Sequence, residues 1–453
     1  MAEHLRERFE ALRAQEFRRL DESGHVYLDY TGSGLYAASQ LRRQEAFLHN
    51  QVLGNPHSEN PTSMEATRIV EGARREVLDF FGADSEEYVV VFTANASAAL
   101  KLVGESYPFA ADSRFVFPQD AHNSVVGIRE YARARGARVS VLALDHELRL
   151  APDQAIPPSG PGPSLFAFPA QSNFSGVQHP LSLVAEAKLQ GFDVLLDAAA
   201  FVPTNTLDLG EVSPDFVCVS FYKMFGFPTG VGALLARREA LARLRRPWFG
   251  GGTVEYVSVQ NDIHQLRIGA EAFEDGTPHF LGIAEVAGGL EFLRNVGMNH
   301  IHERVAGLTE RLLGILTSLS HPSGERAVDL YGPAGIDHRG GTVAFNLRTP
   351  DGFVVPYGVV ERAASEVKIS LRGGCFCNPG AAEAAFGLPA DEAFRCFTAM
   401  PRGTFNLKSL AECLGNKVAV GALRASVGIA TNDADLDRLE AFFEAFVAHG
   451  DSP

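Results

Sequence analysis

Cysteine is scarce in this sequence: five among 453 residues, too few and too scattered for a disulfide framework. Cys218, Cys396 and Cys413 stand alone and read as small buried apolar residues. No apolar run approaches the roughly 20 residues a membrane-spanning helix needs. The first 19 residues are densely charged, without the apolar core of a secretory signal, and read as an amphipathic surface helix. A cytoplasmic protein is the expectation. Basic residues are in deficit too: 40 Lys and Arg against 55 Asp and Glu leave a net charge of −15. Nucleic acid and anionic membranes both require a basic surface, so neither is an expected partner. Internal repeats and linker-like low-complexity tracts are also missing.

What is present starts with length. A single hydrophobic core stops growing at roughly 250–300 residues, so two domains are expected. Short β-branched or aromatic runs at 88–92, 114–117, 139–144, 165–168, 194–196, 216–220 and 231–236 alternate with helical stretches at 64–80, 125–134 and 183–189. That rhythm predicts an α/β domain over 56–282, with a mostly parallel seven-stranded sheet and helices on both faces. Ligands of such sheets sit beyond the carboxyl ends of the strands. Residues 1–55 and 283–453 are assigned to a smaller α+β domain. Helices are expected at 283–296 and 302–319, and strands at 342–347 and 367–371. A last helix should run from 435 to about 449 with Asp433 as its N-cap. The Pro- and Gly-rich stretch 155–164 reads as a surface loop.

The most informative segment is VCVSFYKMFGFPTGVGALLAR (217–237). It places Lys223 at the end of a buried strand, where a charged amine is costly. Alone, such a lysine reads as a strand-end residue snorkelling to water. Asp197, in LLDAAA (195–200), changes that reading, because it ends the preceding strand and the two ends share one sheet edge. A lysine amine that condenses with a carbonyl, beside a carboxylate that keeps a ring nitrogen protonated, is what pyridoxal phosphate requires. The segment TANASAAL (93–100) opens a helix with small residues, and the N–H groups of Ala96 and Ser97 are candidates for the phosphate. An ordinary capped helix start is the alternative there.

These pieces, with PAQSNFSG (169–176), SFYKMFGFPTG (220–230), FGGGT (249–253), FEDGTPHF (273–280) and RGGCFCNPG (372–380), resemble fold-type I pyridoxal-phosphate enzymes of the class V aminotransferase group. Within it the sequence is similar to the cysteine-desulfurase-like domain of molybdenum cofactor sulfurases, from about residue 26 to 446. The resemblance implies that His122 stacks on the cofactor ring and moves protons, and that Asn173 bonds the ring's phenolic oxygen. It implies phosphate-side contacts from Ser220 and Tyr222. Gly276 and Thr277 would touch the phosphate of a second subunit, so a homodimer with shared sites is implied. Many cysteine desulfurases have glutamine three residues after the aspartate and histidine before the lysine. Ala200 and Tyr222 stand there instead, as in the sulfurase branch.

In the Gly-rich stretch around CFCN (375–378), read as a mobile loop, the resemblance makes Cys377 the persulfide-forming nucleophile. Cys375 is the second candidate or a resolving partner. A nucleophilic cysteine must be exposed and thiolate-prone, and Arg372 nearby would favour the thiolate. Half of a metal site is disfavoured, because no second Cys/His cluster at ligand spacing accompanies the pair. Arg424, in GALRASVGIATN (421–432), projects from a strand and by resemblance anchors a substrate carboxylate through its planar fork. Arg372 assists it or tunes the loop.

The implied reaction is L-cysteine desulfuration. Lys223 takes the α-proton, Cys377 attacks the substrate sulfur, alanine leaves, and a persulfide remains for an acceptor not identified by the sequence. Another amino-acid lyase, epimerase or aminotransferase is the alternative, since fold and cofactor do not fix the reaction. A sulfur carrier without catalysis is a third. Molybdenum cofactor sulfurases carry a further C-terminal domain for which these 453 residues leave no length.

Overall fold

The computed structural model describes residues 3–449 apart from 389, 402, 404, 405 and 415–418. Its centre is a seven-stranded sheet made of β1 (Tyr88–Thr93), β2 (Arg114–Pro118), β3 (Arg138–Leu142), β4 (Leu165–Pro169), β5 (Asp193–Asp197), β6 (Phe216–Ser220) and β7 (Gly232–Arg237). The spatial order is β1-β7-β6-β5-β4-β2-β3. Neighbours from β6 to β3 are parallel, while β7 runs antiparallel to both β1 and β6. All seven expected strands are present, within two residues at either end.

Alternation along each strand explains the layers. Val90, Val116, Phe166, Phe168, Val194, Leu196, Val217, Val219 and Leu235 point into one core, with Val70 and Val77 of the helix Pro61–Phe80 and Val286 and Leu290 of the helix Phe280–Val296. Val91, Phe115, Phe117, Leu165, Leu195, Phe216, Cys218 and Leu234 point into the other, with Leu100 and Val103 of the helix Ala96–Ser106 and Ile128 of the helix Ile128–Ala134. Strands β4 and β6 are buried along their whole length, as a sheet covered on both faces demands.

Four further strands form an antiparallel sheet: β8 (Val328–Tyr331), β9 (Thr342–Leu347), β10 (Arg372–Gly374) and β11 (Ala422–Ser426), in the order β8-β9-β11-β10. The expected strand at 367–371 is divided. Ile369–Ser370 pairs with Val26–Tyr27, and the chain joins β10 two residues later. Asp29 bridges Ser426, which ties the N-terminal segment to β11. The helix Glu3–Glu16 is amphipathic as expected, burying Leu5 and Phe9. Its Arg13 forms a buried 2.5 Å pair with Asp435.

Several local expectations need correction. The helix at 125–134 is interrupted at Gly127, giving Asn123–Val126 and Ile128–Ala134. The last helix is Asp433–His449, capped by Asn432 rather than Asp433. Asn432 accepts the Asp435 N–H at 3.0 Å, and its own N–H donates to the Asp435 carboxylate at 3.1 Å. Cys396 and Cys413 are not lone apolar residues but a disulfide, between the helices Ala390–Ala399 and Leu407–Cys413. Cys218 is buried, as expected. The stretch 155–164 carries no regular structure. Among the described residues no helix is long and apolar enough to cross a membrane.

Candidate active site

Five strand ends deliver polar side chains to one place. Beyond β1 come Asn95–Ser97, beyond β2 His122, beyond β4 Gln171 and Asn173, at the end of β5 Asp197, and beyond β6 Tyr222 and Lys223. Together with Ser220 they line a cavity of about 140 Å³. The antiparallel strand β7 helps by being small where it starts. A Cβ at Gly232 would lie 2.6 Å from the Asn95 Cα, so glycine lets the helix start approach the sheet.

Lys223 sits in the single helical turn Phe221–Phe225, closed by Gly226 at φ +79°. That positive φ suits glycine, and a Cβ there would strike the Tyr36 backbone at 2.2 Å. The Gly34 N–H donates to Tyr222 O at 3.0 Å and presses the N-terminal segment onto the same turn. Among the described residues none forms a hydrogen bond or ion pair with the Lys223 amine. Burial pushes that amine below its ordinary range, and the Asp197 carboxylate partly restores it. A lysine held toward its neutral form is a nucleophile and a base.

Asp197 is buried, and its Oδ1 accepts the Ala199 N–H at 3.1 Å. At the helix start Asn95 caps Ala98, and the Ala96 N–H donates to Ser220 Oγ at 2.8 Å. The first-turn N–H of Ser97 is one of the donors a helix start leaves over. His122 caps the helix Asn123–Val126, and its Nδ1 accepts the Ser124 N–H at 3.1 Å. The neutral ring therefore carries its proton on Nε2. Burial lowers the His122 pKa, with Lys223 and Arg424 adding to the effect and Asp197 opposing it.

The CFCN segment is pinned rather than loose. Asn173 Nδ2 donates to Phe376 O at 2.7 Å, and the Asn123 N–H donates to Cys377 O at 2.8 Å. The buried Asn378 side chain donates to Asp120 O at 2.6 Å and to Asn173 Oδ1 at 2.9 Å. These bonds hold Phe376 and Cys377 at φ +55°, a left-handed conformation costly for non-glycine residues. Cys377 is exposed, and its charge bears on Lys223. Cys375 is half-buried, donates to Val420 O at 3.3 Å, and has its thiol pKa raised by burial. Exposure thus favours Cys377 as the reactive thiol.

Arg372 does not face the cysteines. Its guanidinium binds both oxygens of Asp29, with a closest approach of 2.5 Å. Asp29 also accepts from Arg424 at 3.1 Å. Arg424 is buried, donates to Asn173 O at 2.9 Å, and lies 4.7 Å from the Phe376 ring centroid. Its Nε has no partner among the described residues, and burial pulls its pKa down to about 10. A buried guanidinium with an unused N–H is ready for a carboxylate. Sequence reasoning missed Asp29, whose only signal is an acid inside the apolar run VYLDY (26–30). It also missed Gln171, visible only as a polar residue past a buried strand.

Gly276 and Thr277 stand apart from this cluster. Thr277 lines a different cavity with Thr93, Ala98 and Lys101, and its hydroxyl accepts from Asn55 at 3.1 Å.

The donor set fits pyridoxal phosphate: a depressed lysine amine, a buried carboxylate at the end of the neighbouring strand, and a helix start whose Ser97 N–H is spare. The family model for class V aminotransferases matches residues 26–439. Molybdenum cofactor sulfurase from Drosophila mojavensis is 38% identical over 470 residues, covering 95% of this chain and 58% of that protein. The Arabidopsis thaliana protein of the same name is 39% identical over 414 residues, covering 82% and 50%. The chain thus spans about half the length of the curated relatives it matches. The apo structure of cysteine desulfurase from Thermococcus onnurineus NA1 superposes with a TM-score of 0.76 at 25% identity, covering 97% of this chain and 98% of that one.

Proposed function

The chain belongs to the class V aminotransferase family, and from that premise we propose that it withdraws sulfur from L-cysteine, releasing alanine and leaving a persulfide on Cys377. The observation that carries this reading is the convergence of an exposed cysteine, a depressed lysine amine and a buried arginine with an unused N–H.

Pyridoxal phosphate, when bound, supplies an electron sink that acidifies the substrate's α-proton. Lys223 would hold it at the aldehyde, Asp197 at the ring nitrogen, and Ala96, Ser97 and Ser220 at the phosphate. His122 and Asn173 line the same space, and Tyr222 stands beside the phosphate donors. Gly276 and Thr277 are assigned to a partner subunit's phosphate, since neither lines the Lys223 cavity of this chain.

Arg424 binds the substrate carboxylate, using the Nε that has no acceptor among the described residues. Lys223 Nζ, whose pKa burial lowers, accepts the α-proton. The Cys377 thiolate then attacks the substrate sulfur. The carbon–sulfur bond breaks, a sulfur–sulfur bond forms, and the departing carbon takes a proton that Lys223 or His122 Nε2 can deliver. The pinned CFCN loop places Cys377 where its charge bears on Lys223. The relatives' name points to the molybdenum cofactor as the acceptor of the persulfide sulfur.

The test is incubation with L-cysteine and a thiol reductant, following alanine and sulfide. Wild type should release both in equal amounts, and Cys377→Ser should release neither. Full turnover by Cys377→Ser would remove the desulfurase reading and leave another amino-acid reaction of the same cofactor.

A further inference from the structure

A second small cavity lies behind Lys223. It is lined by Thr31, Gly34, Thr342 and Phe225, and shares Gln171, Ala199, Ala200 and Lys223 with the main site. Ala200 is too small to close the gap, and the only long polar side chain common to both spaces besides Lys223 is Gln171. It is 4% exposed and held against Gly340, where a Cβ would lie 2.1 Å from its Oε1.

The orientation of that buried amide follows from its neighbours. Asn205 Nδ2 donates to the Phe201 carbonyl at 2.9 Å, and a carbonyl can only accept. Asn205 therefore turns Oδ1 toward Gln178, which must answer with Nε2 at 3.2 Å. The same Nε2 gives its other hydrogen to Gln171 Oε1 at 3.0 Å. Gln171 is left with its NH2 group unclaimed among the described residues. Gln171 lines both cavities with amide hydrogens to give, and a ligand oxygen there can accept them.

We propose that Gln171 is a cofactor-binding residue whose NH2 donates to the ring oxygen of pyridoxal phosphate next to the carbon held by Lys223. This inference rests on the cofactor reading above. Gln171 shares both cavities with Lys223, whereas the phosphate contacts Ala96, Ser97 and Ser220 line only the main one. Its donor therefore belongs to the lysine side of the ring, where the phenolic oxygen lies. Asn173 has spent one hydrogen on Phe376 O and its Oδ1 on Asn378, so it acts chiefly as the anchor of the cysteine loop. Gln171, at the position opened by Ala200, supplies the donor that Asn173 supplies only in part.

The experiment compares wild type, Gln171→Leu and Gln171→Glu as apoproteins titrated with pyridoxal phosphate. Readouts are the dissociation constant and the pH midpoint of the visible band of the bound cofactor. Gln171→Glu still accepts from Gln178, so it preserves the buried amide chain while replacing the donor by a carboxylate oxygen. Both variants should bind about ten- to a hundredfold more weakly, the worth of a hydrogen bond to an anionic oxygen. Their midpoints should move to higher pH, because the donor that stabilised the ring oxygen's anion is gone. Gln171→Glu should be the weaker binder. Affinities within twofold of wild type with unmoved midpoints overturn the inference. A wild-type protein that takes up no cofactor overturns the cofactor reading with it.

Discussion

Replacing Arg424 by methionine should leave the apoprotein at least as stable as wild type while removing its hold on substrate. Arg424 is 3% exposed, and burial outweighs the help of Asp29, pulling its pKa down to about 10. Arginine does not deprotonate at neutral pH, so the pull is a cost of keeping the charge in place. A displacement of that size from the ordinary arginine range corresponds to about 3 kcal/mol. Methionine has similar length and no polar group. Its gain is offset by the donors that Asn173 O and Asp29 lose, about 1 kcal/mol each. Asp29 keeps its two-point contact with Arg372, so no buried charge is stranded. The net expectation is about 1 kcal/mol of stabilisation. The folded pKa is depressed, so the cost is fully present below pH 10, and the difference from wild type should stay flat between about pH 6 and 9. Urea unfolding of the apoproteins, read by circular dichroism and by the single tryptophan, gives the comparison if the two transitions coincide. A loss of more than about 2 kcal/mol at unchanged slope would refute the reasoning, making Arg424 a structural residue.

Lys223→Met should abolish the visible absorbance of the bound cofactor. Since burial depresses the Lys223 amine, the unfolded chain binds more protons than the folded one, and wild-type apoprotein should gain stability relative to Lys223→Met as pH rises toward 10.5. Guanidine melts from pH 7 to 10 check the sign. Limited alkylation at pH 7.5, read by mass spectrometry, should label exposed Cys377 before Cys375, whose thiol burial holds protonated, and leave Cys218 untouched. Asn378→Ala removes the cap accepting from Ala381 and both donors that pin the cysteine loop. It should cost about 2–3 kcal/mol and open the 372–380 stretch to proteolysis, measured by melting temperature and fragment mapping.

Much of the large sheet was legible because strands buried on both faces must be apolar throughout, and such runs are hard to hide. The order of strands was not, since nothing in residues 232–237 announces an antiparallel partner. Lys223 and the helix start could be read from the strands they follow and Asp197 from the strand it ends, whereas His122 came only from the resemblance. Asp29 could not, being 343 residues from Arg372 and 395 from Arg424 along the chain. A contact at that range leaves no local trace, which is why Arg372 was expected to tune the cysteines and is instead held by Asp29. Cys396 and Cys413 failed for the opposite reason. Their pairing depends on how two short helices pack, and spacing alone does not say so.

The placement of Asp29 between β11 and β10 also sets a schedule for synthesis. A ribosome adds roughly 5–20 residues each second, so residue 29 waits about 20–80 s for residue 426 to appear. Throughout that interval the N-terminal strand Val26–Tyr27 has no Ile369–Ser370 to pair with, and Arg13 has no Asp435. The large sheet can form meanwhile, with Lys223 and Asp197 already in position. Arg424, the proposed substrate anchor, emerges about 200 residues after Lys223. A nascent chain can therefore form the proposed cofactor pocket before it has the proposed substrate anchor.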